Sequence, residues 1–154
     1  MINIEHRDAV LRTFILFIQT ARSALKYADA HLYKKMHLSI VKLISLQALV
    51  SNGGIISPTE LSEWTQTERN NITTLINRMK QEGLIIVTRD TENKRNVNIT
   101  LTDKGREVHK RAMPVAWEVV KQVMLSISRS NCAQLEDTLR VIRHNSDIGF
   151  EQIT

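Results

Sequence analysis

The chain has little of what breaks or cross-links a fold: one cysteine, two prolines and five glycines in 154 residues. A single cysteine excludes an internal disulfide framework and fits a reducing compartment. So few glycines and prolines leave no material for a flexible linker, and the length suits one ordinary domain. Neither a CxxC nor an HExxH pair occurs, and Gly53-Gly54 has no GxxxxGK[ST] around it. Zinc-ligand and phosphate-loop chemistry are therefore not expected, and no metal site, cofactor or catalytic residue is predicted. Long apolar runs are also missing. The stretch at 11–18 is interrupted by Arg12 and preceded by acids and bases, so we expect neither a signal peptide nor a membrane span, and a cytoplasmic protein.

Hydrophobic residues make up 42% of the chain, enough for a core. The 21 basic residues outnumber the 16 acidic ones, and the pI is near 9.6, which favours a polyanionic partner. The excess is unevenly spread. Residues 38–105 carry eight cations against seven anions, whereas 69–95 carry six against three.

The most informative stretch is 57–105. Ser57-Pro58-Thr59-Glu60 combines an N-cap serine, a proline at the first helical position and a glutamate three residues after the cap. The spacing predicts a two-turn helix ending near Thr65, with Leu61 and Trp64 inward. A polar turn follows, with Thr67 as the expected N-cap of the next helix. In that helix Ile72, Leu75, Ile76 and Met79 fall at i, i+3, i+4 and i+7, one apolar stripe that must face a core. Opposite it stand Asn70, Thr74, Asn77 and Gln81, flanked by Arg69, Asn71, Thr73 and Arg78. A merely solvated helix usually interleaves Glu and Lys. Amides and hydroxyls can instead read base edges, and arginine can read guanine or hold phosphate.

Gly83 closes this helix. Residues 84–88 form a β-branched run bounded by turn residues, and the return strand Val97–Leu101 alternates apolar Val97, Ile99 and Leu101 with Asn98 and Thr100. Between them lies a polar loop from Arg89 through Asn93, Lys94 and Arg95, which can place cations against phosphates or in a minor groove. The order of helix, turn, helix and hairpin outlines a winged helix-turn-helix.

These residues resemble the MarR family of bacterial transcription regulators. Arg78-Met79 and Gly83-Leu84 match the end of the family's recognition helix, and Leu101-Thr102-Asp103-Lys104-Gly105 matches its closing motif. Arg95 matches the wing arginine, which by resemblance enters the minor groove. Asn93 stands where the family pattern has aspartate, and an asparagine can hydrogen-bond there but cannot form the charged pair. The resemblance implies a mainly α fold with a small β-hairpin wing and long terminal dimerisation helices. It also implies one MarR-like domain over 1–154, with the winged part at 38–105 and helical dimerisation parts at 1–37 and 106–154. The implied function is a ligand-responsive repressor that binds double-stranded DNA as a homodimer, with a small phenolic or aromatic effector and no membrane partner. The implied DNA contacts are Arg69, Asn70, Asn71, Thr73, Thr74, Asn77 and Arg78 on the helix, and Arg89, Asn93, Lys94 and Arg95 on the wing.

The flanks supply the mounting. Apolar residues recur at helical spacing from Leu11 to Leu32, predicting one helix over 4–36. A second helix is expected from Ser39 to Asn52, capped by Ser39 and stopped by Gly53-Gly54. A third should follow Thr102, carrying Val108, Ala112, Val115, Val119, Val123 and Ile127 on one side and a kink at Pro114. A last helix is expected over 131–143 with Leu135, Leu139 and Ile142 on one face. Such helices suit packing between two copies. Two recognition helices about a two-fold axis would reach successive major grooves about 34 Å apart, so an inverted-repeat site is expected. His6, His31, His37, His109 and His144 are scattered, and Cys132 reads as packing. The reading from a different class is a winged-helix protein-interaction module that uses the same polar face and does not read DNA.

Overall fold

Helix and strand positions follow the hydrophobic patterning closely. The computed structural model describes residues 4–93 and 96–154, and Lys94 and Arg95 lie outside the described residues. The order is α1 (Ile4–Met36), α2 (Ile40–Ser51), β1 (Ile55–Ile56), α3 (Pro58–Thr65), α4 (Arg69–Gln81), β2 (Ile85–Arg89), β3 (Val97–Leu101), α5 (Asp103–Val123) and α6 (Arg129–Glu151). The chain divides into two compact units, Met1–Val120 and Lys121–Thr154.

In the first unit the core forms around α2. Ser39 caps this helix, its hydroxyl accepting from the Lys42 amide, and the chain leaves it through Asn52 and the left-handed Gly53 and Gly54. Leu46, Ala48 and Leu49 enter one cluster with Leu61 of α3, the α4 stripe, and Ile56, Ile85 and Ile99 of the sheet. Leu43 enters a second cluster with Leu32 of α1, Leu38 and Ala112 of α5. Because α2 lies in both, and Val108 packs against both, the sheet with its two short helices and the long helices α1 and α5 share one packed element.

The sheet is three-stranded and antiparallel in the order β1-β3-β2, not the two-stranded hairpin expected. Ile55 and Ile56 pair with Thr100 and Ile99. The β-branched pair after Gly53-Gly54 is the available signal, but two residues are too few for a period to register. β2 is shifted by one residue from the expected 84–88, because the Leu84 amide is taken by the end of α4.

One inward assignment and one cap assignment change. Leu61 is fully buried, but Trp64 is 46% exposed; it stands 60° round α3 from Leu61, and this two-turn helix presents only one residue to the core. Glu68, not Thr67, precedes α4. Thr67 is held in the turn by Ser62, whose hydroxyl donates to the Thr67 carbonyl at 2.7 Å and whose carbonyl accepts from the Thr67 amide.

α1 is tied to α5 by buried Leu32 and Ala112, and by Glu118 Oε2, which accepts from His31 at 2.7 Å and Lys35 at 2.6 Å. Lys35 first and His31 second hold the Glu118 carboxyl below its ordinary range. Further along α5, His109 Nε2 donates to Gln47 Oε1 of α2 at 2.8 Å. Burial, and then the neighbouring Arg106, lower the His109 pKa from its ordinary 6.5. α5 runs through Pro114 as one helix and ends at Val123, so Ile127 lies beyond it.

In the second unit, α6 begins two residues before the expected 131 and continues to Glu151, capped by Ser128, whose hydroxyl accepts from the Asn131 amide. His144 and Asn145, just beyond the expected end at 143, are compatible with helix, and Ser146 donates back to the Ile142 carbonyl instead of ending the ladder. Cys132 is half-buried on this helix.

Two tests follow from these contacts. Gly105 packs so tightly against Leu84 that a methyl group there would overlap the Leu84 carbonyl oxygen. Gly105→Ala should lower unfolding stability by about 1–3 kcal/mol in urea titration. His109 is neutral more readily when folded than unfolded, so the unfolded chain binds more protons as pH falls through 6.5. The melting temperature should therefore drop between about pH 7.5 and 5.5, and His109→Gln should reduce that drop.

Candidate nucleic-acid interface

α3 is fixed at both of its ends before the turn into α4. Ser57 and Glu60 form a full capping box, the serine hydroxyl accepting from the Glu60 amide at 3.2 Å and the glutamate accepting from the Ser57 amide at 2.7 Å. These bonds hold the Glu60 carboxyl below its ordinary range. Gln66 adopts a left-handed conformation (φ 52°) that ends α3 and turns the chain toward α4.

α4 is oriented by its four buried residues, Ile72, Leu75, Ile76 and Met79. Every other residue of the helix is exposed, so Arg69, Asn70, Asn71, Thr73, Thr74, Asn77 and Arg78 are gathered on one continuous polar surface. No ion pair among the described residues engages Arg69, Arg78, Lys80 or Arg89. The helix thus presents amides, hydroxyls and uncompensated cations, and no carboxylate before Glu82.

Its C-terminal end is clamped. Gly83 is left-handed (φ 73°), the Leu84 amide donates to Met79 O and the Gly83 amide to Lys80 O, both at 3.0 Å, which is a Schellman closure with buried Leu84 against Met79. The start of α5 then takes the last carbonyls. Thr102 Oγ1 donates to Gly83 O at 2.6 Å, the Thr102 amide donates to Leu84 O, and Lys104 Nζ donates to Glu82 O at 2.6 Å. Every residue of the Leu-Thr-Asp-Lys-Gly run except Asp103 therefore helps to position the helix end. Leu101 lies in the core, Thr102 and Lys104 bind the carbonyls, and Gly105 sits where no side chain fits.

One flank of α4 meets the start of α2. Asn71, Thr74 and Arg78, with Leu75 as a floor, face Ser39, Val41, Lys42 and Thr67 across a groove of about 320 Å³. Lys42 Nζ reaches Glu82 Oε1 at 2.5 Å. Sequence reasoning missed Ser39, Lys42 and Glu82 as neighbours of the reading surface, since nothing in the periodicity of α2 indicates which helix it will lie beside.

The wing is closed by its own backbone. β2 and β3 pair from Ile85↔Leu101 to Arg89↔Val97, and Arg89 is exposed at the end of the ladder. The Asp90 amide donates to Asn96 O at 3.0 Å, the Asn96 amide to Asn93 O at 2.8 Å, and Asp90 Oδ1 accepts from the Glu92 amide at 3.0 Å. Asn93 is therefore built into the tip. Arg89 and Asn93 belong to the described wing; the expected contacts Lys94 and Arg95 lie outside the described residues.

With this geometry in view, the comparisons with known proteins agree with one another. The profile described as "MarR family" matches residues 43–97, which run from within α2 to the return strand of the wing. The HTH-type transcriptional repressor IacR of Pseudomonas putida is 26% identical over 114 residues, 74% of this chain and 68% of that one. The organohalide-sensing transcriptional regulator RdhR, solved with 2,4-dichlorophenol bound, is 28% identical, with a TM-score of 0.77 over 94% of this chain and 82% of its own. A MarR family regulator of Streptomyces coelicolor solved in complex with DNA shares the fold, with a TM-score of 0.82 at 20% identity, covering 94% of this chain and 90% of its own.

The clamp generates a test specific to it. Thr102→Val keeps the side-chain volume but leaves the Gly83 carbonyl without its hydroxyl donor and the Gly105 amide without its acceptor, and should cost about 1–2 kcal/mol of stability. Hydrogen exchange should then be faster at the C-terminal turn of α4 than at its first turn.

Proposed function

We propose that the chain is a member of the MarR family of transcription regulators and that it acts as a homodimer reading an inverted-repeat DNA operator under the control of a small aromatic effector. One observation carries the reading: α4 is held by four buried residues with its amide, hydroxyl and uncompensated cationic surface turned outward. Asn70, Thr73, Thr74 and Asn77 are the base-reading candidates, Arg69, Asn71 and Arg78 the flanking contacts, and Arg89, Asn93, Lys94 and Arg95 the wing contacts.

The dimer is supported by large apolar side chains that stand exposed among the described residues. On α1, Val10, Leu11, Phe14 and Ile15 are each about half exposed, and on α6 Leu135, Val141 and Phe150 are exposed as well. Soluble monomers rarely leave contiguous apolar patches of that extent open. The effector proposal is supported by the dichlorophenol bound to the 28%-identical regulator, and repression by the repressor of Pseudomonas putida. A cytoplasmic location is supported by the family; among the described residues no helix is long and apolar enough to cross a membrane.

Selection of bound duplexes from a random DNA pool by the purified protein should enrich a short inverted repeat with half-sites about one helical turn apart. Failure to enrich any sequence, with binding lost at modest salt, would sink the operator reading. On the enriched site, Asn77→Ala should relax preference at one position of each half-site by about 1–3 kcal/mol, read from competition with single-base variants. Arg95→Ala should lower the salt-dependence slope by about one unit.

A further inference from the structure

We propose that the groove between α2 and α4 is a seat for one DNA backbone phosphate, with Lys42 and Arg78 as its cations and Glu82 as the carboxylate that occupies Lys42 until DNA arrives. The inference rests on the reading of α4 as the DNA-reading helix and adds a contact surface from a different element.

The first ground is shape. An α-helix with its side chains is about 10–12 Å across and the DNA major groove about 12 Å wide, so a helix lying in that groove has its flanks against the two phosphate backbones. The flank of α4 that carries Asn71, Thr74 and Arg78 forms one wall of the α2–α4 groove, and Lys42 belongs to the other. This wall is continuous with the outward face of α4, since Thr74 belongs to both. A backbone passing along that flank must cross the mouth of the groove.

The second ground is charge. The Lys42 side chain is only 15% exposed, its stem packed in the groove and its ammonium paired with Glu82, whose own side chain is 46% exposed. Arg78 lines the same groove and makes no ion pair among the described residues. The lining holds two cations and no carboxylate, and Glu82 reaches in to pair with only one of them, Lys42, which leaves the groove one negative charge short of balance. Its remaining polar lining is neutral: the hydroxyls of Ser39, Thr67 and Thr74 and the amide of Asn71, groups that commonly position phosphate oxygens. The floor is apolar, so a phosphate seated there would be partly shielded from water, where each charge contact counts for more.

Glu82 gives the seat a direction of regulation. Its carbonyl is held by Lys104 and its backbone caps α4, so the carboxylate is anchored at the end of α4 within reach of Lys42. An entering phosphate competes with it for Lys42 and is repelled by it. Binding therefore exchanges one ion pair for another, and Glu82 restrains affinity on every sequence equally.

The test measures binding of the full chain to two duplexes of equal length, its selected operator and a scrambled version, across about 0.05–0.3 M salt. Lys42→Gln should weaken both duplexes by the same factor, roughly five- to tenfold at about 0.1 M salt, and lower the salt slope by about one. Arg78→Gln should lower the slope likewise without touching the ion pair. Glu82→Gln should tighten binding to both duplexes, by roughly two- to fivefold. A purely structural ion pair predicts the opposite for Glu82: both partners' substitutions would weaken binding with the slope intact, and that result overturns the seat. Should Lys42→Gln fold poorly by thermal unfolding, an unchanged slope in Arg78→Gln overturns it alone. Wild-type protein that binds neither duplex at low salt would remove DNA reading itself and the seat with it.

Discussion

The burial of Ile72, Leu75, Ile76 and Met79 is the constraint on which the rest of the reading head depends. A helix is rigid about its axis, so the face that goes inward decides the face that comes out. Each fully buried aliphatic side chain is worth about 1.5–3 kcal/mol, whereas a single hydrogen bond on the outer surface is worth about 1. Rotating α4 far enough to expose two of the four would therefore cost more than an outward contact could return. The rotation is set by hydrophobic packing, and the polar residues are free to be chosen for what they touch.

Packing fixes rotation but not position along the axis, and the ends of the helix supply that. At the start, Ser62 and the left-handed Gln66 hold the turn, which delivers Glu68 and then Arg69 at a defined point. At the end, α5 reaches back with Thr102 and Lys104 to the carbonyls of Gly83 and Glu82, and Gly105 lets the two backbones close. A motif some twenty residues downstream in the chain is thus part of how α4 is held. The same clamp holds the residue before β2, since the Thr102 amide donates to the Leu84 carbonyl.

α2 links this head to the long helices, because its residues belong to both core clusters. A shift of α1 or α5 reaches α4 through close-packed side chains, which transmit displacement with little slack. The polar ties between the same elements, Glu118 with His31 and Lys35, and His109 with Gln47, are partly exposed and individually worth less than the packing.

The sequence by itself determined what depends on local chemistry. The bounds of α1 and α2, the capping box at Ser57, the α4 stripe, Gly83 and the return strand Val97–Leu101 were all legible, because caps and 3.6- or 2-residue periods are written in adjacent residues. Tertiary structure alone decided the rest. The strand β1 exists because Ile55 and Ile56 find β3 more than forty residues away, and Trp64 is exposed because α3 has room for one inward residue. Lys42 and Glu82 read as ordinary solvated charges until the fold brings α2 alongside α4 and sets them face to face. Periodicity assigns a side chain to a face of its own helix; only packing decides which other helix that face will meet.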